Sequence, residues 1–154
     1  MDALIGRFKY GGALHYGALL GRLLGECCSG RKPDGIVPVP LHLARLAERG
    51  FNQATELARQ VSRRIGVPML DDVCRRTAAT PPQAGLAAQE RQRNLRGAFV
   101  ASPGVAGRQL AIVDDVLTTG STVEALTLEL LRAGAARVEV WAVARGGTAA
   151  PRAV

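Results

Sequence analysis

Apolar residues Tyr16, Leu19, Leu20, Leu23 and Leu24 recur at helical spacing and predict an amphipathic helix over 13–26. A polar turn with Pro33 follows, then the short strand-like run Ile36-Val37-Pro38-Val39-Pro40, whose prolines suit an edge strand or an abrupt exit. Ala54, Leu57, Ala58, Val61 and Ile65 mark one face of a second helix over about 52–65, with Asn52 as its N-cap and Gly66 and Pro68 as its stop. Met69–Cys74 reads as another strand. Residues 76–97 carry Pro81, Pro82 and Gly85 with little periodicity, and a loop of that length inside a compact domain is usually functional.

The strongest strand is Leu110-Ala111-Ile112-Val113, apolar on both faces as in a buried parallel strand. A helix follows over about Ser121–Ala133, with Val123, Leu126, Leu130 and Leu131 inward and Ser121-Thr122-Val123-Glu124 as a capping box. Val138–Val143 closes the pattern. Phe99 and Trp141 read as core. Strands alternating with helices predict an α/β fold with a mainly parallel sheet flanked by helices, formed by one domain over 1–154.

Composition narrows the class. At 154 residues and 47% hydrophobic, the chain is long enough to bury a real core and too apolar for disorder. The longest apolar runs fall short of a membrane span, and Met1-Asp2-Ala3-Leu4 has no signal-peptide character, so a cytoplasmic protein is expected. Three cysteines, Cys27, Cys28 and Cys74, match neither a disulfide framework nor a zinc site and read as buried or half-buried thiols. The net charge is +7, and only Lys9 and Lys32 are lysines. An arginine-rich surface suits phosphate recognition, suits nucleic acid equally, and also follows from codon composition.

The chemistry is concentrated in Asp114-Asp115-Val-Leu-Thr118-Thr119-Gly120-Ser121-Thr122, a strand leading through two acids and a hydroxyl-rich turn into a helix. Ligands of open parallel sheets sit beyond the carboxyl ends of the strands. A helix N-terminus there attracts an anion through its free N–H groups, so a phosphate belongs on 118–122, where Gly120 allows close backbone approach. Asp114 and Asp115 cannot favourably face that phosphate; they suit sugar hydroxyls or a metal ion. A nucleoside-triphosphatase reading fails, because neither lysine lies in G-x-x-x-x-G-K-[ST].

That segment resembles the phosphoribosyl-pyrophosphate (PRPP) loop of type I phosphoribosyltransferases. Pro38-Val-Pro40-Leu-His42, Arg45, Arg49-Gly-Phe-Asn-Gln53, Arg76-Thr77, Pro82-Gln83, Leu86, Arg91, Asn94-Leu95 and Gly97-Ala98-Phe99 are similar to the ComF (competence protein F) family, over about residues 5–146. The resemblance implies a type I phosphoribosyltransferase-like fold. Asp114 and Asp115 would hold the ribose hydroxyls as catalytic residues, and Thr118, Thr119, Gly120, Ser121 and Thr122 the 5′-phosphate. Leu41 and His42 would lie in the pyrophosphate loop, Arg45 beside it, and Arg76, Gln83 and Arg91 in a mobile lid over 76–97. It further implies Mg²⁺ with PRPP, no metal ligated by the protein alone, and an unspecified acceptor, since only 1–12 and 76–97 remain to build its binding hood. The family's four-cysteine zinc ribbon has no counterpart here. The alternatives are a non-catalytic PRPP- or nucleotide-binding protein and a single-stranded-DNA-binding factor in DNA uptake. For the last, a 4% aromatic content supplies few stacking platforms. His42 and Arg45 serve equally well as structural turn residues, and Arg45 and Arg49 have the spacing of neighbours on one helix face.

Overall fold

A computed structural model describes residues 14–77 and 97–146. In chain order these form α1 (Leu14–Cys27), β1 (Gly35–Pro38), α2 (Leu43–Arg49), α3 (Gln53–Ile65), β2 (Cys74–Arg76), β3 (Phe99–Ala101), a short 3₁₀ turn, β4 (Gln109–Leu117), α4 (Ser121–Arg132) and β5 (Arg137–Arg145). The main sheet is parallel, in the order β1-β4-β5. The run Leu110–Val113 is its buried centre, as the apolar pattern requires.

The prolines of β1 sit where the ladder does not need them. Val39 N donates to Val113 O at 3.0 Å, towards β4, whereas Ile36 N faces the other way, to Pro68 O at 2.9 Å. Strand alternation puts the nitrogens of Pro38 and Pro40 on that outer side, so no bond to β4 is lost.

Side-chain alternation along β4 divides the core. Leu110 and Ile112 pack with Val123, Leu126 and Leu130 of α4 and with Phe99. Ala111 and Val113 pack with Leu57, Ala58 and Val61 of α3, Leu20 of α1 and Trp141. Helices therefore cover both faces, which is the α/β architecture expected. The core placement of Phe99 and Trp141 holds as well.

Several boundaries and faces differ from the sequence reading. Met69 makes only an isolated bridge to Ile36. The chain then turns at exposed Asp71 and Asp72, and Cys74–Arg76 pairs antiparallel with β3 in a second, two-stranded sheet. Residues 43–49, not assigned as an element, form a helix with no buried residue. Leu131 is 42% exposed rather than inward. On α1, Leu20 is buried but Leu19 and Leu23 are about half exposed, because the inner face is made by glycine. A Cβ on Gly21 would lie 2.7 Å from Gln60 Cβ, and one on Gly25 2.9 Å from Arg64 Cβ. The close approach of α1 to α3 turns the leucines outward. Of the cysteines, Cys28 and Cys74 are buried and Cys27 is exposed.

Candidate functional site

The site is built where β4 outlasts its neighbour. β1 stops pairing at Pro38, opposite Val113, but β4 continues through Asp114 and Asp115 to Leu117, paired only with β5. The two acids therefore lie on the strand and not in a loop after it. On the β1 side the next amide is that of Asp115. With its strand partner gone, it donates to Asp114 Oδ1 at 2.9 Å. Val116 N donates in turn to Asp115 Oδ1 at 2.7 Å.

Being adjacent on a strand, the carboxyl groups belong to opposite faces. By alternation Asp114 continues the Leu110–Ile112 side of β4 and Asp115 the Ala111–Val113 side. The structure thus separates two groups that the sequence placed side by side. On the Asp114 side it adds Arg76, whose guanidinium stacks on the Phe99 ring 5.5 Å from the centroid. Burial, and then the charge of Arg45, push the Arg76 pKa down, while the charge of Asp114 opposes them. Arg45, Arg76 and Asp114 are accordingly electrostatic neighbours drawn from three distant stretches of chain.

The turn and helix beyond β4 supply amides. Gly120 is the N-cap of α4, at φ 81° and ψ −5°, and has no side chain to cap the helix, while Ser121 N donates to Thr119 Oγ1 at 3.4 Å. The capping box is overturned here: Ser121 is the first helical residue, and its Oγ is shared with Thr119 Oγ1 at 2.9 Å. Glu124 N reaches Gly120 O at 2.9 Å. That leaves the first-turn amides of Thr122 and Val123 without intrahelical partners, as at any helix start. The left-handed backbone at 120 favours glycine, and a Cβ there would meet no protein atom within 4 Å. Thr118 and Thr119 are exposed; Ser121 and Thr122 are half-buried.

Leu41 and His42 join β1 to α2. His42 is the N-cap of α2: its Nδ1 accepts from Ala44 N at 3.2 Å, and its carbonyl accepts from Arg45 N and Leu46 N. Its ring thus has a structural duty that leaves only Nε2 for a ligand. Asn52 caps α3, accepting from Ala54 N at 3.1 Å, and donates from Nδ2 to Val39 O at 3.0 Å, tying that helix start to the β1 exit. Gln53 behind it is 3% exposed, and its Nε2 meets no acceptor among the described residues. Sequence reasoning missed Gln53, although it closes the Arg49–Gln53 motif.

Gln83 and Arg91 lie outside the described residues, as does most of the expected lid. The ends of that stretch are held together, with Thr77 N donating to Ala98 O at 2.9 Å and Thr77 Oγ1 to Gly97 O at 3.2 Å.

The phosphoribosyl transferase domain family matches residues 16–152, which take in all the described elements but the first two residues of α1. The chain belongs to that family. Among curated proteins, this phosphoribosyltransferase-family chain is 37% identical over 155 residues to competence protein F of Haemophilus influenzae, covering 94% of this chain and 68% of that protein. It is 47% identical over 113 residues to the DNA utilization protein YhgH of Escherichia coli K12, covering 73% of this chain and 50% of that protein. These relatives place it with the ComF proteins. The chain thus spans between half and about two thirds of the length of such relatives. Among solved structures, the glutamine PRPP amidotransferase of Bacillus subtilis, complexed with ADP and GMP, aligns at a TM-score of 0.56 and 22% identity, over 80% of this chain and 25% of that one. A purine phosphoribosyltransferase from Pyrococcus horikoshii aligns at 0.53 and 21%, over 84% and 73%. Both show the type I fold. Among the described residues, no helix is long and apolar enough to cross a membrane.

Proposed function

We propose that the carboxyl edge of the sheet binds PRPP and that the chain transfers its phosphoribosyl group to an acceptor, releasing pyrophosphate. The observation that carries this reading is the α4 start, a left-handed glycine and then the first-turn amides of Thr122 and Val123, which have no intrahelical partner, one strand-end away from two carboxyl groups. An anion fits those amides and repels those carboxylates, so a ligand with phosphate at one end and hydroxyls at the other suits both. In this reading Thr118, Thr119, Gly120, Ser121 and Thr122 hold the 5′-phosphate, and Asp114 and Asp115 hold the ribose hydroxyls from opposite faces. Arg45 and Arg76 would face the pyrophosphate beside the Leu41–His42 turn, with Gln83 and Arg91 as further candidates.

In the reaction the anomeric C–O bond to pyrophosphate breaks as the acceptor's lone pair forms a new bond to that carbon. Positive charge grows on the ribose and negative charge on the leaving group. Fixed carboxylates favour the first and guanidinium groups the second. The described residues hold no group of three or more ligands able to cage a metal. Mg²⁺ commonly binds through one or two carboxylates, several waters and the substrate's own phosphates, so Asp114 and Asp115 fit an ion that arrives with PRPP. When bound, it would neutralise departing pyrophosphate charge.

The test is thermal unfolding with PRPP and Mg²⁺, which should raise the melting temperature by linkage. Asp114→Asn combined with Asp115→Asn should abolish the shift; no shift in the parent chain refutes the assignment. Pyrophosphate release during a screen of nucleobases and amines separates transfer from binding alone. The relatives' names support a second reading, a role in competence and DNA utilization. In that role single-stranded DNA should bind the basic chain with an affinity that falls steeply with salt, and its failure to bind would discard that role.

A further inference from the structure

At the opposite edge of the sheet, where β1, β4 and β5 begin, an open cleft of about 330 Å³ is lined in part by Arg31, Lys32, Gln109, Arg137 and Glu139. Its volume is at the small end of ligand sites, which run from roughly 300 to 1,000 Å³. It is remote from the α4 start: from Gln109 to Asp114 alone β4 rises about 16 Å.

Three cationic side chains and one carboxylate line it. Glu139 Oε2 takes Arg31 Nη1 at 2.9 Å, and its Oε1 takes Arg137 Nη2 at 3.1 Å. The Trp141 indole N–H donates to Oε2 at 3.2 Å. One carboxylate thus holds two guanidinium groups together, and their repulsion is offset before any ligand arrives. Each guanidinium has five N–H donors, and these contacts use few of them. The Arg31 and Arg137 side chains remain 59% and 63% exposed. Lys32 has no ion pair among the described residues, and the Gln109 side chain can also donate. A further acid, Asp34, accepts from Gln109 N at 2.7 Å.

We infer that this cleft is a second anion site, which takes a phosphate-bearing ligand between Arg31, Lys32 and Arg137. The excess of two positive charges in its lining favours a dianion over a monocarboxylate. Two guanidinium groups pre-set by Glu139 match the oxygens of a phosphate and lose little freedom on binding it. A free phosphate compound and the backbone of a nucleic acid offer the same group.

Trp141 is the chain's one tryptophan, so its emission and indole N–H resonance report on Glu139. The chain is titrated with inorganic pyrophosphate and, separately, with a short oligothymidylate, with calorimetry in parallel. Saturable binding that moves the indole signal is expected with at least one of them. An indole response to pyrophosphate assigns a small phosphate compound to this cleft, as calorimetric heat alone would not, given the pyrophosphate expected at Arg45 and Arg76; an indole response to the oligonucleotide alone assigns a strand. Lys32→Gln with Arg137→Gln should weaken that binding roughly tenfold or more, as expected for two lost charged contacts. Lys32→Gln alone keeps both pairs of Glu139 and should weaken it severalfold, which preserves the test if the double variant unfolds. Asp114→Asn with Asp115→Asn should leave it unchanged. Absence of binding, or binding insensitive to Lys32 and Arg137, overturns the inference.

Discussion

Gly120 offers a test of what the turn before α4 requires. Its φ of 81° lies in the left-handed region, and an added Cβ would meet nothing within 4 Å. Gly120→Ala therefore carries a conformational cost without a steric one, about 1–2 kcal/mol. In a domain of this size 1 kcal/mol moves Tm by roughly 2–4 °C, so a loss of about 2–8 °C is expected. Asn tolerates the left-handed region better than Ala, so Gly120→Asn should recover part of the loss. At Gly21 the order reverses. There the added atom meets Gln60 Cβ at 2.7 Å and the Leu57 carbonyl oxygen at 3.1 Å, so Asn should destabilise more than Ala. Calorimetric unfolding of the four variants gives both rankings. If Gly120→Asn is as damaging as Gly120→Ala, or if neither changes Tm, the dihedral argument is wrong. Under the proposed function Gly120→Ala should also weaken PRPP binding, because those amides are the phosphate cradle.

Four further outcomes follow from burial, exposure and capping. Leu126 is fully buried between α4 and β4, so Leu126→Ala should cost about 2–5 kcal/mol in denaturant unfolding. His42→Ala removes the α2 cap and should cost about 1 kcal/mol, whereas His42→Asn should retain most of it; equal losses would show that the ring does not act as a cap. Burial, with a smaller push from Glu129, raises the Cys74 thiol to about 11 from an ordinary value of 9.0. A raised folded-state pKa means stability that is complete below pH 9 and declines as pH rises towards 11, because the unfolded thiol ionises first. Cys74→Ala should flatten the stability profile in that window relative to the parent chain. Iodoacetamide at pH 8 should modify exposed Cys27 well before Cys74.

The parallel α/β core was legible because its signals are local. Leu110–Val113 is apolar on both faces, and a strand of that kind must be covered from both sides. Ala54 through Val61 holds a helical period between an Asn cap and a glycine stop, and both ends appear where the residues put them. The Asp114–Thr122 segment was legible for the same reason, since a strand, a glycine turn and a helix start are consecutive in the chain. Its finer geometry was not. Ser121 looked like a cap, but the left-handed Gly120 had already turned the chain into the helix.

What the chain determined by itself was the order of elements, their apolar faces in outline, and a carboxyl-edge turn chemically suited to an anion. Tertiary structure decided what depends on residues far apart in sequence. Arg45 and Arg76 become electrostatic neighbours through the fold, in which Val39 of the β1 exit shares a core cluster with Cys74 and Phe99 of the small antiparallel sheet. Asp114 and Asp115 take opposite faces because β4 outruns β1 and remains a strand. Leu19 and Leu23 turn outward because two glycines let α1 approach α3 more closely than leucines would allow. Periodicity shows that a helix has an apolar side, whereas the depth of its packing depends on the partner's shape, which the helix's own residues do not encode.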